Sequence, residues 1–136
     1  MLTEIIRAVA GALKESGATE VYSAFDAYPM ERKGAGYFTL VSTGGLECTA
    51  PVYSTTTVYL PYKAKAEIMV TAPESENMAK LYSYYDSKVA PAIDKLTDLN
   101  GRLTKLSIKQ DSNIGRLVLT AEVTVSGIRR IERSTE

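Results

Sequence analysis

Histidine and tryptophan are absent from this sequence of 136 residues, and cysteine occurs only once. The lack of histidine excludes Ser-His-Asp and Cys-His catalytic arrangements and removes the commonest metal ligand. Cys48 alone cannot form an internal disulfide or a thiolate zinc site within one chain. As a nucleophile, Cys48 would need a positively charged neighbour, and the adjacent residue is the acidic Glu47. We therefore predict a non-enzymatic protein that has no catalytic residue, no metal site and no cofactor.

An excess of charge of one sign is also missing, because 16 basic residues balance 16 acidic ones. Without a net positive field, sequence-specific nucleic acid is not an expected partner. A net charge near zero also removes the repulsion that keeps small proteins apart, which permits self-association. The N-terminal stretch is interrupted by Glu4 and Arg7, so we expect neither a signal peptide nor a membrane span there, and we expect synthesis in the cytoplasm.

Two stretches have the apolar spacing of amphipathic helices. The first covers residues 3–16 and ends at Gly17. The second follows Glu74 and Glu76, whose carboxylates favour a helix N-terminus, and Pro91 is expected to kink it or to start a new segment. The apolar stripe of the second helix comprises Met78, Leu81, Tyr82, Tyr85, Val89, Ile93 and Leu96.

The remaining segments have β-favouring composition, and two of them, at 63–71 and 116–126, alternate apolar and polar residues. We predict an α+β fold in one domain, residues 1–128, with a mainly antiparallel sheet and two helices packed on one face, in the order α-β-β-β-α-β-β. A mobile hairpin arm is expected at 43–57, and a frayed, charged tail at 129–136. The predicted strands are 19–25, 36–42, 63–71, 103–110 and 116–126.

A few patterns have two interpretations. Glu74, Glu76 and Asp86 suggest a hard-metal site, but positions 74 and 76 do not share a helix face, which favours a solvated helix start. The glycines at 34 and 36 and at 44 and 45 suggest phosphate loops. Neither pair is followed by a lysine and a helix start, so turns are the better interpretation.

Nine tyrosines are unusual for this length, and tyrosine is favoured on surfaces that become buried against a partner. Tyr82 and Tyr85 lie on the apolar stripe and are expected in the core. A small basic cluster near the C-terminus is either a partner contact or a solvated tail. The candidate interface residues are Tyr53, Tyr59, Tyr62, Tyr84, Arg129 and Arg130.

Three segments resemble the tail terminator family of long-tailed bacteriophages. The first is the strand Ala-Glu-Ile-Met-Val-Thr-Ala-Pro at 66–73, followed by acidic residues that open a helix. The second is that helix, which continues as Ser-Lys-Val-Ala-Pro-Ala-Ile at 87–93 with its internal proline. The third is the closing hairpin, 106–110 and 116–125. The arm at 43–57 has no counterpart in the family.

The resemblance implies a homo-oligomeric ring, commonly a hexamer, that sits on the last ring of the tail tube in the virion. Its partners would be further copies of itself, the tail tube protein and the head-tail connector protein, and the family has no catalytic residues to transfer. Two alternatives stay open. One is another head-tail joining or baseplate subunit, and the other is a small ligand-binding or enzymatic α+β domain with a polar pocket.

Overall fold

The computed structural model describes residues 2–18, 20–23, 37–73, 75, 77–111 and 115–133. Several predictions concern residues outside these ranges: the glycines at 34 and 36, the acidic helix start at 74 and 76, the ends of the predicted strand 19–25, and residues 134–136 of the predicted tail. The elements are α1 Leu2–Glu15, β1 Val21–Ser23, β2 Phe38–Cys48, β3 Val52–Tyr53, β4 Thr57–Pro73, α2 Met78–Tyr84, a π-helical turn Tyr85–Val89, α3 Ala90–Asp94, a 3-10 turn Leu96–Leu99, β5 Arg102–Asp111 and β6 Arg116–Glu132.

The strands form one six-stranded sheet in the order β1-β2-β4-β6-β5, with β3 paired to β4 beyond the end of β2. The short β1 pairs with β2 in parallel, and every other pairing is antiparallel. The predicted α+β class is thus confirmed. The order differs by one element, because the two-residue strand β3 was not predicted.

One face of the sheet carries the core. In β4 the side chains of Ala64, Ala66, Ile68 and Val70 are fully buried, as the alternating pattern predicts. They form one cluster with the apolar stripe of α1 and with residues from the second helical segment. α1 ends at Glu15, and Gly17 follows it with a φ of +88°, in the left-handed region that favours glycine just after the end of a helix.

The second helical segment is interrupted, as its internal proline predicts. Asn77 caps α2 by accepting a hydrogen bond from the Lys80 N–H at 2.8 Å. The helix then passes through the π-helical turn before Pro91, which lies in the first turn of α3 and needs no backbone N–H there. The prediction for Tyr82 is wrong, because the buried face centres on Leu81 and turns Tyr82 outward, leaving it 50% exposed.

A smaller buried cluster lies at one end of the opposite sheet face. The Arg116 guanidinium donates to the Thr71 hydroxyl from Nη2 at 2.8 Å and lies 5.0 Å from the centre of the Phe38 ring. Burial lowers the pKa of Arg116 from its ordinary value. The rest of this face follows the alternation of the sequence, with Lys63 and Lys65 exposed.

Two predicted irregular segments contain β-structure, because β4 offers a partner along its whole length of 17 residues. Within the predicted mobile arm, β2 continues to Cys48, and β3 then pairs with β4. The break between β2 and β3 falls opposite Pro61, which has no N–H to donate. The predicted frayed tail is also wrong up to residue 132, since β6 continues beside β4 to the pair Thr57–Glu132.

Candidate assembly surface

The paired strands extend well beyond the helices. The buried core ends at Ala64 of β4 and Val125 of β6. From there β4 runs back seven further residues to Thr57, a length of about 20 Å. None of the described residues in this extension is buried. We call it the distal blade, and it comprises residues 46–48, 52–53, 57–62 and 127–132.

The distal blade concentrates the exposed apolar surface of the protein. Among the described residues, nine large hydrophobic side chains are exposed, and the blade contributes five of them. Among the described residues no further layer covers this antiparallel ribbon, which makes it the candidate surface for contact with another molecule. The five are Leu46, Val52, Tyr53, Ile128 and Ile131.

Strand register arranges the side chains of the blade in rows across its two faces. On the helix side, Tyr53 pairs with Val58, and Val58 pairs with Ile131. On the opposite side, Val52 pairs with Tyr59, and Tyr59 pairs with Arg130. The Arg130 guanidinium lies 5.6 Å from the Tyr59 ring centre. Each face therefore presents apolar and aromatic residues, with Arg130 in the row of the second face.

The tip of the blade is an ordered turn. The Ser54 N–H donates to the Thr57 carbonyl at 2.8 Å, and the Thr57 N–H donates to the Ser54 hydroxyl at 3.0 Å. Arg133 closes the turn from the other strand, donating from Nη1 to the Ser54 carbonyl at 2.8 Å. Its guanidinium lies 5.8 Å from the Tyr53 ring centre. The end of β6 is thus fastened to the hairpin.

Tyr62 lies flat across the blade near its base. Its cross-strand partner is Gly127. An ideal Cβ at residue 127 would lie 2.5 Å from the Tyr62 hydroxyl oxygen and 2.7 Å from Cζ, so the ring occupies the space that a larger residue would need. This cover of a strand glycine by an aromatic ring stabilises the pair and fixes the direction of Tyr62.

The structure brings five of the six predicted interface residues together. Tyr53, Tyr59 and Tyr62 lie in the hairpin, and β6 places the arginines at 129 and 130 beside them although they are separated by about 70 positions in sequence. Tyr84 lies elsewhere. It is half-buried on α2, and its ring stacks on Tyr37 with centroids 4.7 Å apart. An interface role for these six residues stays a prediction.

Sequence reasoning missed the apolar residues Ile128 and Ile131 and the contact made by Arg133. The sequence signal for them was weak, because Ile128 lies at the predicted end of the domain and Ile131 stands alone among arginines and glutamates, which is typical of a solvated tail. Only their pairing with β4 places them beside Val58 and Pro61. Leu46 and Val52 were overlooked because their segment contains glycine, proline and threonine.

Other parts of the surface offer less chemistry. Where the blade joins the rest of the open sheet face, a depression of about 300 Å³ is lined by Lys63, Lys65, Arg102 and the blade residue Glu47, which is typical of the solvent-exposed side of an antiparallel sheet. Within the described ranges, no three Cys, Asp or Glu side chains are grouped to hold a metal ion. None of the helices described here is long and apolar enough to cross a membrane.

No protein-family model matches the chain, and no curated protein is similar to it. Among solved structures, the type 4 fimbrial biogenesis protein PilO from Pseudomonas aeruginosa is similar with a TM-score of 0.35 and 11% identity, over 94% of this chain and 69% of that one. The PVC sheath/tube terminator of an extracellular contractile injection system, in its extended state, has a TM-score of 0.49 and 10% identity, over 98% of this chain and 58% of that one.

A chain from the virion of a native gene transfer agent particle has a TM-score of 0.37 and 17% identity, over 97% of this chain and 92% of that one. This chain therefore spans somewhat more than half the length of the sheath/tube terminator and most of the virion chain. With TM-scores below 0.5 and identities of 17% or less, these likenesses assign no family, function or partner to the chain.

Proposed function

We propose that this protein is a structural, non-enzymatic subunit of a phage-like tail, and that it is a tail terminator. In this role it would assemble as a ring, possibly sixfold, on the completed tail tube in the virion and join the tube to the head-side connector protein. The resemblance of 66–73, 87–93 and the closing hairpin to the terminator family supports the assignment to tails.

One observation carries the structural role, namely the distal blade with its five exposed apolar side chains. Isolated monomers rarely keep such a group on an uncovered strand extension, because burying it against a partner is favourable by roughly 25 cal/mol per Å². The zero net charge of the chain adds no repulsion against further copies. Surface complementarity, without bond chemistry, would then stop the addition of tube subunits.

Assembly is tested by light scattering coupled to size exclusion over a concentration series. We expect a species of several subunits, or a reversible rise towards one. Ile128→Ser, in the blade, should weaken the assembly, because this side chain is 63% exposed and would be covered by a partner. Tyr82→Ser is the matched control, since Tyr82 is 50% exposed but lies on α2 outside the blade.

The position in the particle is tested by electron microscopy of particles that lack the protein. Loss of a terminator should give tails of uncontrolled length. Separate heads and tails of normal length would instead identify a connector, and the terminator assignment would be wrong. A protein that stays monomeric at all concentrations and does not bind the ends of purified tail tubes would contradict both roles.

A further inference from the structure

The distal blade has an open edge on the β6 side. The partner strand β5 begins at Arg102, opposite Thr124, whereas β6 continues to Glu132. No described strand pairs with β6 beyond that point on this side. The Asn100 side chain donates to the Ser126 carbonyl at 3.3 Å, so the backbone groups of Ser126 face this edge. By alternation along an antiparallel strand, the N–H and C=O groups of Ile128 face the same edge.

The opposite side of the blade is open as well. Strand β1 covers β2 only from Thr39 to Val41. Beyond Val41, within the described ranges, no strand lies outside β2 or β3. The blade is therefore a ribbon with β2 and β3 at one edge, β4 in the middle and β6 at the other edge. Strands β2 and β6 run in the same direction, because each is antiparallel to β4.

The two edges have complementary composition. The β6 edge carries Ile128, Arg129, Arg130 and Ile131 and has no proline, glycine or lysine between 128 and 132, so charge is the one device against strand pairing that this stretch has. The β2 edge carries the exposed Leu46 next to the acidic Glu47. The β6 edge thus has two arginines beside one glutamate, Glu132, whereas the charged residue of the β2 edge is Glu47, which lies opposite Lys63 of β4.

We propose that the β6 edge of one copy pairs in parallel with the β2 edge of a second copy, residues 46–48. This inference rests on the proposed self-assembling function and names the contact that builds the ring. Register places Glu47 and Arg130 on the same face of the blade, so their opposite charges meet across the junction. Each copy contributes one edge of each kind, so the contact is head-to-tail and can close into a ring.

The lone cysteine gives a direct test. Cys48 is exposed on β2 and points to the helix-side face, as Arg129 and Ile131 do by register. Adjacent strands lie about 4.8 Å apart, within the Cα separation that a disulfide spans. Mild oxidation of the assembled Arg129→Cys or Ile131→Cys variant should therefore give a ladder of covalent species beyond the dimer. The same variants with Cys48→Ser should give no ladder.

A charge reversal tests the pair independently. Glu47→Arg should weaken self-assembly about fivefold, and Arg130→Glu in the same chain should restore it. Lys105→Cys, on the exposed strand β5, is the control for the cross-link because it lies at a different edge. It should not form a disulfide with Cys48 of another copy.

Several outcomes would overturn the proposal. Covalent dimers alone would indicate a two-fold contact, and efficient cross-linking of Lys105→Cys would place the junction at β5. Oligomers that have the expected mass by light scattering but form no Cys48 cross-link in either β6 variant would reject this junction. They would not contradict the proposed tail function. A protein that stays monomeric and does not bind the ends of purified tail tubes would reject the junction and the proposed function together.

Discussion

The Tyr62 ring packs over Gly127, so we expect Gly127→Ala to lower the free energy of unfolding in the natural chain and to raise it in a Tyr62→Ala variant. In the natural chain, Gly127→Ala puts a methyl group 2.5–2.9 Å from the hydroxyl oxygen, Cζ and Cε1 of the Tyr62 ring. Either the ring must turn away or the strands must shift. Because the ring is half exposed and can move, we expect the free energy of unfolding to fall by about 1 kcal/mol, at the low end of overpacking costs.

With Tyr62→Ala already in place, the same change should have the reverse effect. The three atoms nearest to the Cβ position of residue 127 all belong to the Tyr62 ring and are then gone, and alanine loses less backbone entropy than glycine when it enters a strand. The expected gain is about 0.5 kcal/mol. The coupling between the two sites is therefore about 1.5 kcal/mol, large enough to measure in a double-mutant cycle.

Urea unfolding of the four proteins, followed by circular dichroism, gives the four free energies. The slope of the unfolding free energy against urea should not change, because the surface exposed on unfolding is nearly the same. The four proteins should be compared at a concentration where they have the same assembly state, since self-association adds to apparent stability. Equal destabilisation by Gly127→Ala in both backgrounds would refute the argument, because the cost would then not depend on the ring.

Three further predictions concern the helical segment. Leu81→Ala should cost about 3 kcal/mol in urea unfolding because Leu81 is fully buried, whereas Tyr82→Ala should cost under about 1 kcal/mol; equal costs would contradict the outward position of Tyr82. Asn77→Ala should cost about 1 kcal/mol through loss of its bond to the Lys80 N–H, while Asn77→Asp, which keeps an oxygen that can accept from that N–H, serves as the control. Burial, and then two nearby aspartates, raise the pKa of Tyr85 above its ordinary 10.0, so the stability it contributes is complete below about pH 10 and falls as the pH rises further. Tyr85→Phe should flatten the alkaline limb of unfolding free energy against pH, and an unchanged limb would count against this cause.

Local patterns were enough to predict most of the regular elements. The stripe of α1, the alternation in β4 and the helix break at Pro91 each depend on residues that are close in sequence. The predictions for Tyr82 and for the C-terminal tail failed because the residues that decide their positions are distant in sequence. Tyr82 has the spacing of the stripe, but the position of Leu81 against the sheet decides which edge of that stripe is buried.

In the candidate surface, too, the residues close in sequence were predicted and those that depend on a distant strand were not. Tyrosine content indicated an interface, and the residues in the hairpin were close enough in sequence to be grouped. The arginines and Ile131 in the predicted tail, 129–136, were expected to fray because nothing nearby in sequence could order them. Their backbone groups are paired in the structure only because β4 is long enough to hold a second strand to its end.

The amino-acid sequence by itself determined most of the helices and strands, the buried faces of the strands at 63–71 and 116–126 and the lack of histidine-based chemistry, because period, turn residues and composition are local properties. Tertiary structure alone decided that β4 and β6 stay paired past the helices and that, among the residues the structure describes, no element covers the faces or the outer edges of this extension. Strand pairing joins residues about 70 positions apart, and such contacts depend on register across the whole sheet rather than on any short segment.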